Sequence, residues 1–226
     1  ANNKMGAFSP PFFWDGNKMA ELLFRSKKTF LKEKSKFLKK KHHNDVELLS
    51  KLLLSSLLHS DLEFAHKLRP MLEGFTPLPN YAREVLAQFY LKHRDYMAVS
   101  RHLWPVFEQG TLQSELKKIL KISLEETGLL KQAEQVIAAA LKNGEDLLNW
   151  QILGVIFQSK HRAVMRMDEK VLRNNVQALI TRGLAPEHKI DLASAAFHLQ
   201  QPAVGEDLLV SGLATYEFKT IREHEV

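Results

Sequence analysis

The sequence predicts an all-α protein made of consecutive helical hairpins. Apolar residues recur at steps of three and four through ten stretches, as expected of helices with one buried face. Leu, Ala, Lys and Glu dominate, whereas Gly (10) and Pro (8) are scarce, a balance that favours helix over strand. Short breaks containing Gly, Pro or Asn separate the stretches. The ten predicted helices cover residues 46–58, 62–73, 80–92, 95–108, 113–126, 129–142, 146–158, 168–181, 187–198 and 202–213.

The helices follow a repeat with a period of 34 residues. Residues 86–103 align without a gap with residues 120–137, so that Leu86 matches Leu120. A step of 33 residues forward from Leu120 reaches Leu153. A period of this length indicates a stack of similar helix–turn–helix units.

Five such units fit the chain, at about residues 46–79, 80–113, 114–146, 147–185 and 186–219. The seventh position of a unit is always leucine: Leu52, Leu86, Leu120, Leu153 and Leu192. The twentieth position is small or branched where the alignment defines it: Ala65, Val99, Ala133 and Gly205. These positions are expected to form the contact between the two helices of each unit.

The first helix of the fourth unit carries a recognisable signature. Trp150, Leu153, Gly154 and Phe157 read W-x-x-L-G-x-x-F. This resembles the first helix of a tetratricopeptide repeat (TPR), a helix–turn–helix unit of 34 residues. The resemblance covers roughly 175 residues and implies a right-handed solenoid of about five TPR-like hairpins. It also implies that Trp150 is a core residue and that Gly154 allows close approach of two helices.

The resemblance further implies a function in protein–protein interaction, as a scaffold, adaptor or assembly factor. Stacked hairpins of this family present a concave surface lined by first helices, which holds a peptide or a helix. The partner-binding residues expected in this frame are Tyr81, Glu84, Gln88, Leu91, Glu115, Lys118, Ile122, Glu125, Gln151, Val155 and Gln158.

The fourth unit is about five residues too long, because residues 159–170 interrupt its turn. This insertion holds four basic residues, Lys160, Arg162, Arg166 and Lys170. Insertions in repeat arrays often serve binding. We therefore expect a second contact here, for an acidic surface on a partner or on another copy of the chain. A solvated loop is the alternative.

A basic segment precedes the repeats. Residues 1–45 hold 11 Lys/Arg and 4 Asp/Glu, a net charge of +7, whereas the remaining residues carry a net charge of −1. In residues 24–43 and the residue before them, Leu23, Phe30 and Phe37 follow one another at steps of seven. Phe24, Leu31 and Leu38 form a parallel series, so the segment is predicted to be a helix with an apolar stripe among lysines, for which Asn17 is a candidate N-cap.

Three interpretations of this helix remain open at this point. It can cover the first repeat with its Phe/Leu stripe, since a solenoid needs a cap at its open end. It can lie on an anionic membrane surface, with lysines at the headgroups. It can bind nucleic acid through phosphate contacts, which is the less favoured alternative because no base-reading motif accompanies it. Upstream, residues 8–16 (FSPPFFWDG) are expected to insert in a groove of this chain or another.

Enzymatic activity is not expected. The chain lacks G-x-S-x-G, P-loop and G-x-G-x-x-G motifs, and no cofactor is implied. Ten histidines raise the question of metal binding. No H-E-x-x-H occurs, and His59 and His66 lie on either side of a predicted turn, so solvated or capping histidines are favoured over metal ligands. The absence of cysteine excludes disulfides and thiolate metal sites.

The predicted organisation is an arm and helix at 1–45, a repeat domain at 46–219 and a tail at 220–226. No run of 18 or more apolar residues exists, so no membrane span is predicted. Because the chain does not begin with Met, we expect an upstream segment, such as a signal peptide or a membrane anchor. A cytoplasmic or membrane-associated location is favoured, a periplasmic one is the alternative, and self-association stays open.

Overall fold

The computed structural model describes residues 26–39 and 44–224, with side chains up to residue 214. All secondary structure in this part of the chain is helical, and the helices pack in consecutive pairs. Backbone contacts divide the chain into two units, which meet between Ala133 and Glu134. The helices are α1 (Lys27–Lys39), α2 (Val46–Leu58), α3 (Leu62–Glu73), α4 (Asn80–Lys92), α5 (Tyr96–Glu108), α6 (Ser114–Glu126), α7 (Leu130–Lys142), α8 (Leu147–Lys160), α9 (Arg162–Met165), α10 (Glu169–Ile180), α11 (Pro186–His198) and α12 (Pro202–His224).

The predicted helices are confirmed, with one exception at the C-terminal end. Nine of the ten begin and end within two residues of the observed bounds. The tenth was expected to end at residue 213, but α12 continues to His224. The predicted tail therefore starts inside this helix. No helix among the described residues is both long and apolar enough to cross a bilayer.

The first unit is built from two hairpins, α2–α3 and α4–α5, followed by α6. Helix α2 packs against α4 as well as α3, and α6 packs against α5. The leucines of the seventh repeat position, Leu52, Leu86 and Leu120, are fully buried. Ala65 and Val99 at the twentieth position are fully buried too. Residues in register with the 34-residue period thus form the core, because they meet at the contact between paired helices.

The turns of the hairpins repeat with the same period as the core. A left-handed backbone conformation occurs at Ser60, Arg94 and Gly128, which are 34 residues apart, and again at Arg166 and Gln200, also 34 apart. The interval between Gly128 and Arg166 is four residues longer, which places the insertion in the turn of the fourth hairpin. This backbone signal is independent of the side chains used to find the repeat.

Helix α1 covers the first hairpin, as one of the three interpretations predicted. Phe30 and Phe37 are buried, and the ring of Phe37 meets that of Phe64 edge-on at 5.9 Å. Lys34 forms a salt bridge of 2.5 Å with Asp61, the N-cap residue of α3. Packing on the first repeat is confirmed for this helix.

The expectations for the segment upstream of α1 fall on residues that the structure does not describe. They concern Asn17 as an N-cap, Leu23 and Phe24 in the two apolar series, and residues 8–16. The described part of the arm, helix α1, belongs to the first unit.

In the second unit, α8 packs against α10 and α11, and α11 packs against α12. Trp150 and Phe157 of α8 are buried, so the prediction that Trp150 is a core residue is confirmed. Leu192 at the seventh position is fully buried, and Gly205 at the twentieth is buried as well. Leu153 is half-buried.

Gly154 allows α7 and α8 to approach closely. A Cβ atom at this position would lie 3.3 Å from Cγ2 of Ile137, closer than an ordinary methyl contact. The repeat resemblance implies a close approach within the fourth repeat, but this contact joins α8 to α7 of the preceding repeat, so the predicted helix pair is wrong while the close approach itself is observed.

We expect Gly154→Leu to lower the free energy of unfolding by about 1–3 kcal/mol, because the side chain overpacks the contact with Ile137. Gly154→Ala is the control. Its small crowding is offset by a gain in helix propensity of up to about 1 kcal/mol, so it should change stability little. Chemical denaturation followed by circular dichroism measures both variants. Equal stability of the leucine variant and the wild type would contradict the close approach.

Candidate interaction surfaces

A groove lies on the surface of the second unit, between α7, α8 and α10. Its volume is about 260 Å³. The side chains at its base are aliphatic and its edges carry amides and one guanidinium. The lining residues are Ile137, Leu141, Gln151, Gly154, Val155, Gln158, Asn175, Ala178, Leu179 and Arg182.

The spacing of residues on α8 explains this lining. Gln151, Gly154, Val155 and Gln158 follow one another at steps of three, one and three, which places them on one face of a helix. All three residues of this unit that are predicted to line the concave surface, Gln151, Val155 and Gln158, are among them. Because Gly154 has no side chain, it leaves space between the two glutamines.

The groove has a defined polar edge. Arg182, just beyond α10, donates a hydrogen bond of 2.7 Å to Oε1 of Gln151. The other amides, Gln158 and Asn175, have both donor and acceptor groups. An apolar base bordered by amides suits a ligand that offers an aliphatic side chain together with hydrogen-bonding backbone.

The eight partner-binding residues predicted in the first unit lie on α4 and α6. Only Ile122 among these eight is largely exposed, at 46%. Glu84 is buried. The other six are partly buried: Tyr81, Gln88, Leu91, Glu115, Lys118 and Glu125.

Ion pairs within α6 use several of these charged groups. Lys118 forms a salt bridge of 2.9 Å with Glu115. Lys121 forms one of 2.6 Å with Glu125, and both of these side chains are less than a tenth exposed. These intramolecular pairs compensate the charges that the sequence suggested for partner binding.

Glu84 is a buried carboxyl group on α4. Its residue surface is only 7% exposed, and burial raises its pKa from 4.5 to about 7. Nothing in the sequence indicates this burial, since the repeat frame predicts that a glutamate at this position lines an open surface.

A polar cluster that sequence analysis missed joins the first hairpin to the second. The hydroxyl of Tyr90 donates a short hydrogen bond to Oε1 of Glu73, and Arg69 donates one of 2.9 Å to the hydroxyl. The ring of His102 stacks on Tyr90 with centroids 5.6 Å apart. One signal existed in the sequence: Tyr90 aligns with Leu124, so a polar group replaces an apolar one at a core position.

Burial governs the titration of this cluster. It lowers the pKa of His102 against the opposing influence of Glu73, and it raises the pKa of Tyr90, with a further contribution from the hydrogen bond to Glu73. Each group is thus held in its neutral form, which suits a buried contact between helices.

The insertion in the fourth hairpin is partly engaged within its own unit. Arg162 donates a short hydrogen bond to the carbonyl oxygen of His198. It donates a second one, of 3.3 Å, to the carbonyl oxygen of Ser159. His198 ends α11, so the guanidinium satisfies a free carbonyl at a helix C-terminus. Lys160, Arg166 and Lys170, the other three basic residues of the insertion, are exposed. The segment between them includes helix α9.

The part of the chain that the structure describes contains no group of three or more His, Cys, Asp or Glu side chains placed to hold a metal ion. The chain has no cysteine.

Comparison of the chain with known protein families, with curated proteins and with solved structures gives no match. The class that its architecture defines is an all-α protein of consecutively paired helices.

Glu84 gives a pH-dependent prediction. The folded chain keeps the proton of Glu84 up to a pKa of about 7, whereas the unfolded chain releases it near 4.5. Folding therefore loses stability as pH rises through this window, by up to about 3 kcal/mol. We expect Glu84→Gln to be more stable than the wild type at about pH 8 and similar to it near pH 4.5.

Chemical denaturation of both proteins across this pH range measures the difference in their free energies of unfolding. The contribution of His102 is common to both proteins and cancels in this difference. Glu115→Gln removes a more exposed carboxylate and is the matched control, with an expected change below about 1 kcal/mol. A constant difference between wild type and Glu84→Gln at all pH values would show that Glu84 titrates alike in the folded and unfolded chain.

Proposed function

We propose that the chain is a TPR-like helical-repeat protein that binds a segment of another protein, as a scaffold, adaptor or assembly factor. The right-handed solenoid that the TPR resemblance implies is part of this proposal. The observation that carries it is the groove between α7, α8 and α10. An interaction protein with this groove needs no catalytic groups or cofactor.

The chemistry of the groove favours an extended peptide as its occupant. Ile137, Val155 and Leu179 offer an apolar base for one aliphatic side chain, whose burial contributes about 1.5–3 kcal/mol. A peptide backbone entering the groove must keep its N–H and C=O groups paired. Gln158 and Asn175 can provide both kinds of partner.

Arg182 adds a preference for charge at one end of the groove. Its guanidinium is exposed and bonded to an amide oxygen, Oε1 of Gln151. Arg182 has further N–H donors, and a carboxylate accepts two of them side by side. The favoured ligand is therefore an aliphatic residue followed or preceded by an acidic one.

Selection from a random peptide library tests this proposal. Ala178→Arg places a long cationic side chain in the groove, and Gln177→Arg adds the same charge to an exposed neighbouring position outside the lining. Selected peptides should bind the Ala178→Arg variant at least about tenfold more weakly, equivalent to 1.4 kcal/mol, and should bind Gln177→Arg like the wild type.

The selected peptides should also be rich in aliphatic and acidic residues. Peptides that bind both arginine variants equally would place recognition elsewhere. A library that yields no groove-dependent binder would contradict the proposal.

A second candidate function is binding of an anionic membrane surface through α1. With Phe30 and Phe37 buried against the first hairpin, the second apolar series points outward: Leu31 and Leu38 are 49% and 60% exposed. Lysines border these leucines on both sides. Among them, Lys27, Lys28, Lys32 and Lys39 are exposed.

Leucines between lysines are typical of helices that lie in a membrane interface. Each lysine near an anionic surface contributes about 1 kcal/mol. The bound helix can keep its contacts with the first hairpin, because its outward residues are not the ones that pack there.

Co-sedimentation with vesicles tests this function. We expect binding to vesicles that contain anionic phospholipid and not to neutral phosphatidylcholine vesicles. The double variant Lys28→Glu/Lys32→Glu should reduce binding at least about tenfold, and Leu31→Ala/Leu38→Ala should reduce it as well. Lys36→Glu is the control, since Lys36 lies toward the opposite side and pairs with Glu33 at 2.7 Å.

The opposite outcome is that the wild type does not bind anionic vesicles and the lysine variants lose affinity for a random DNA duplex. In that case the proposal of membrane binding is wrong, and nucleic-acid binding takes its place. Binding to the duplex should then fall steeply with salt concentration.

A further inference from the structure

Two histidines from different hairpins meet at the surface of the first unit. His66 lies on α3, and His93 follows the last residue of α4. Their Nε2 atoms are 3.1 Å apart, and both side chains belong to exposed residues. The two residues are 27 positions apart in the sequence, so helix packing brings the rings together.

The arrangement of the rings differs from a straight hydrogen bond. A linear N–H···N bond over this distance would hold the ring centroids about 5.3 Å apart, because each centroid lies about 1.1 Å behind its nitrogen. The centroids are 4.8 Å apart. The line from each ring centroid to its Nε2 atom therefore does not point straight at the other Nε2 atom. A metal ion about 2.0–2.1 Å from both Nε2 atoms, the usual Zn–N distance, satisfies both spacings.

The surroundings fix the orientation and the tautomer of His93. Its Nδ1 lies 2.8 Å from the carbonyl oxygen of Phe89, so Nδ1 carries the proton and Nε2 keeps its lone pair. A backbone carbonyl in this place is the usual partner of a metal-binding histidine. The buried ring of Phe89 contacts both imidazoles. Its centroid lies 5.1 Å from the ring centroid of His66 and 4.4 Å from that of His93.

The charge near the pair is compatible with a cation. His93 stands at the C-terminal end of α4, where the helix dipole favours positive charge. The adjacent Lys92 is directed elsewhere, since its Nζ donates to the carbonyl oxygen of Leu57 at 3.1 Å.

We propose that His66 and His93 bind one divalent first-row transition ion, such as Zn²⁺ or Cu²⁺. Imidazole nitrogen is a preferred ligand of these ions. Water completes the coordination, because the described residues offer no third His, Cys, Asp or Glu within a metal-binding group. The ion joins α3 to the end of α4 and so links the first hairpin to the second. This site is independent of the proposed groove.

Calorimetric titration of the full chain, without an affinity tag, tests the site. We expect Zn²⁺ to bind one tight site in the wild type, and His66→Ala and His93→Ala each to weaken it at least about tenfold. His161→Ala is the matched control, because His161 also lies against a phenylalanine, Phe157, with ring centroids 5.0 Å apart. It should bind Zn²⁺ like the wild type.

Two further measurements separate a metal site from a structural contact. Zn²⁺ should raise the melting temperature of the wild type and of His161→Ala but not of the other two variants. The visible absorption of one equivalent of bound Cu²⁺ should differ from that of the wild type in His66→Ala and His93→Ala, and not in His161→Ala. If the tightest site of the wild type persists in His66→Ala and His93→Ala, or if no ion binds, the proposal is wrong and the histidines form only a hydrogen bond.

Discussion

The close approach of the paired helices is the constraint on which the rest of the structure depends. A hairpin of two amphipathic helices buries its apolar faces only if small or branched residues stand where the helix axes are nearest. Ala65 and Val99 fulfil this in the first unit. In the second, a Cβ atom at Gly205 would lie 2.7 Å from ring carbons of Phe197, so a larger residue would require the exposed Phe197 ring to move. Four of the five leucines at the seventh position are fully buried, and Leu153 is half-buried.

Polar groups enter this packed interior mainly in the first unit. Lys121 pairs with Glu125, and Tyr90 is hydrogen-bonded to Glu73. The carboxyl group of Glu84, by contrast, lies in a desolvated site, and Nδ1 of His102 is buried without a hydrogen-bond partner. Such groups contribute little net stability, since desolvation offsets their attraction. The contacts of Tyr90 with Arg69, Glu73 and His102 penalise a shifted packing of these helices, because a slip would separate groups that lie on different helices.

The candidate interaction surfaces follow from the same packing rules. The groove of the second unit exists where Gly154 has no side chain and where α7, α8 and α10 diverge around it. The outward leucines of α1 are exposed because the helix uses Phe30 and Phe37, one residue before each of them, for its contacts with the hairpin. The insertion gains order from Arg162, which caps α11, so a segment outside the repeat period still packs on the repeats.

The sequence by itself determined the all-α class, the 34-residue register, nearly every helix boundary, and the core role of Trp150. These depend on local periodicity and on residue size, which a linear pattern records. Only the tertiary structure decided that Glu84 is buried and that His66 meets His93. It also decided which apolar series of α1 faces the hairpin. The reason is that burial and contact between distant residues depend on how neighbouring helices are placed, and two stripes with the same seven-residue step look alike until one of them is covered.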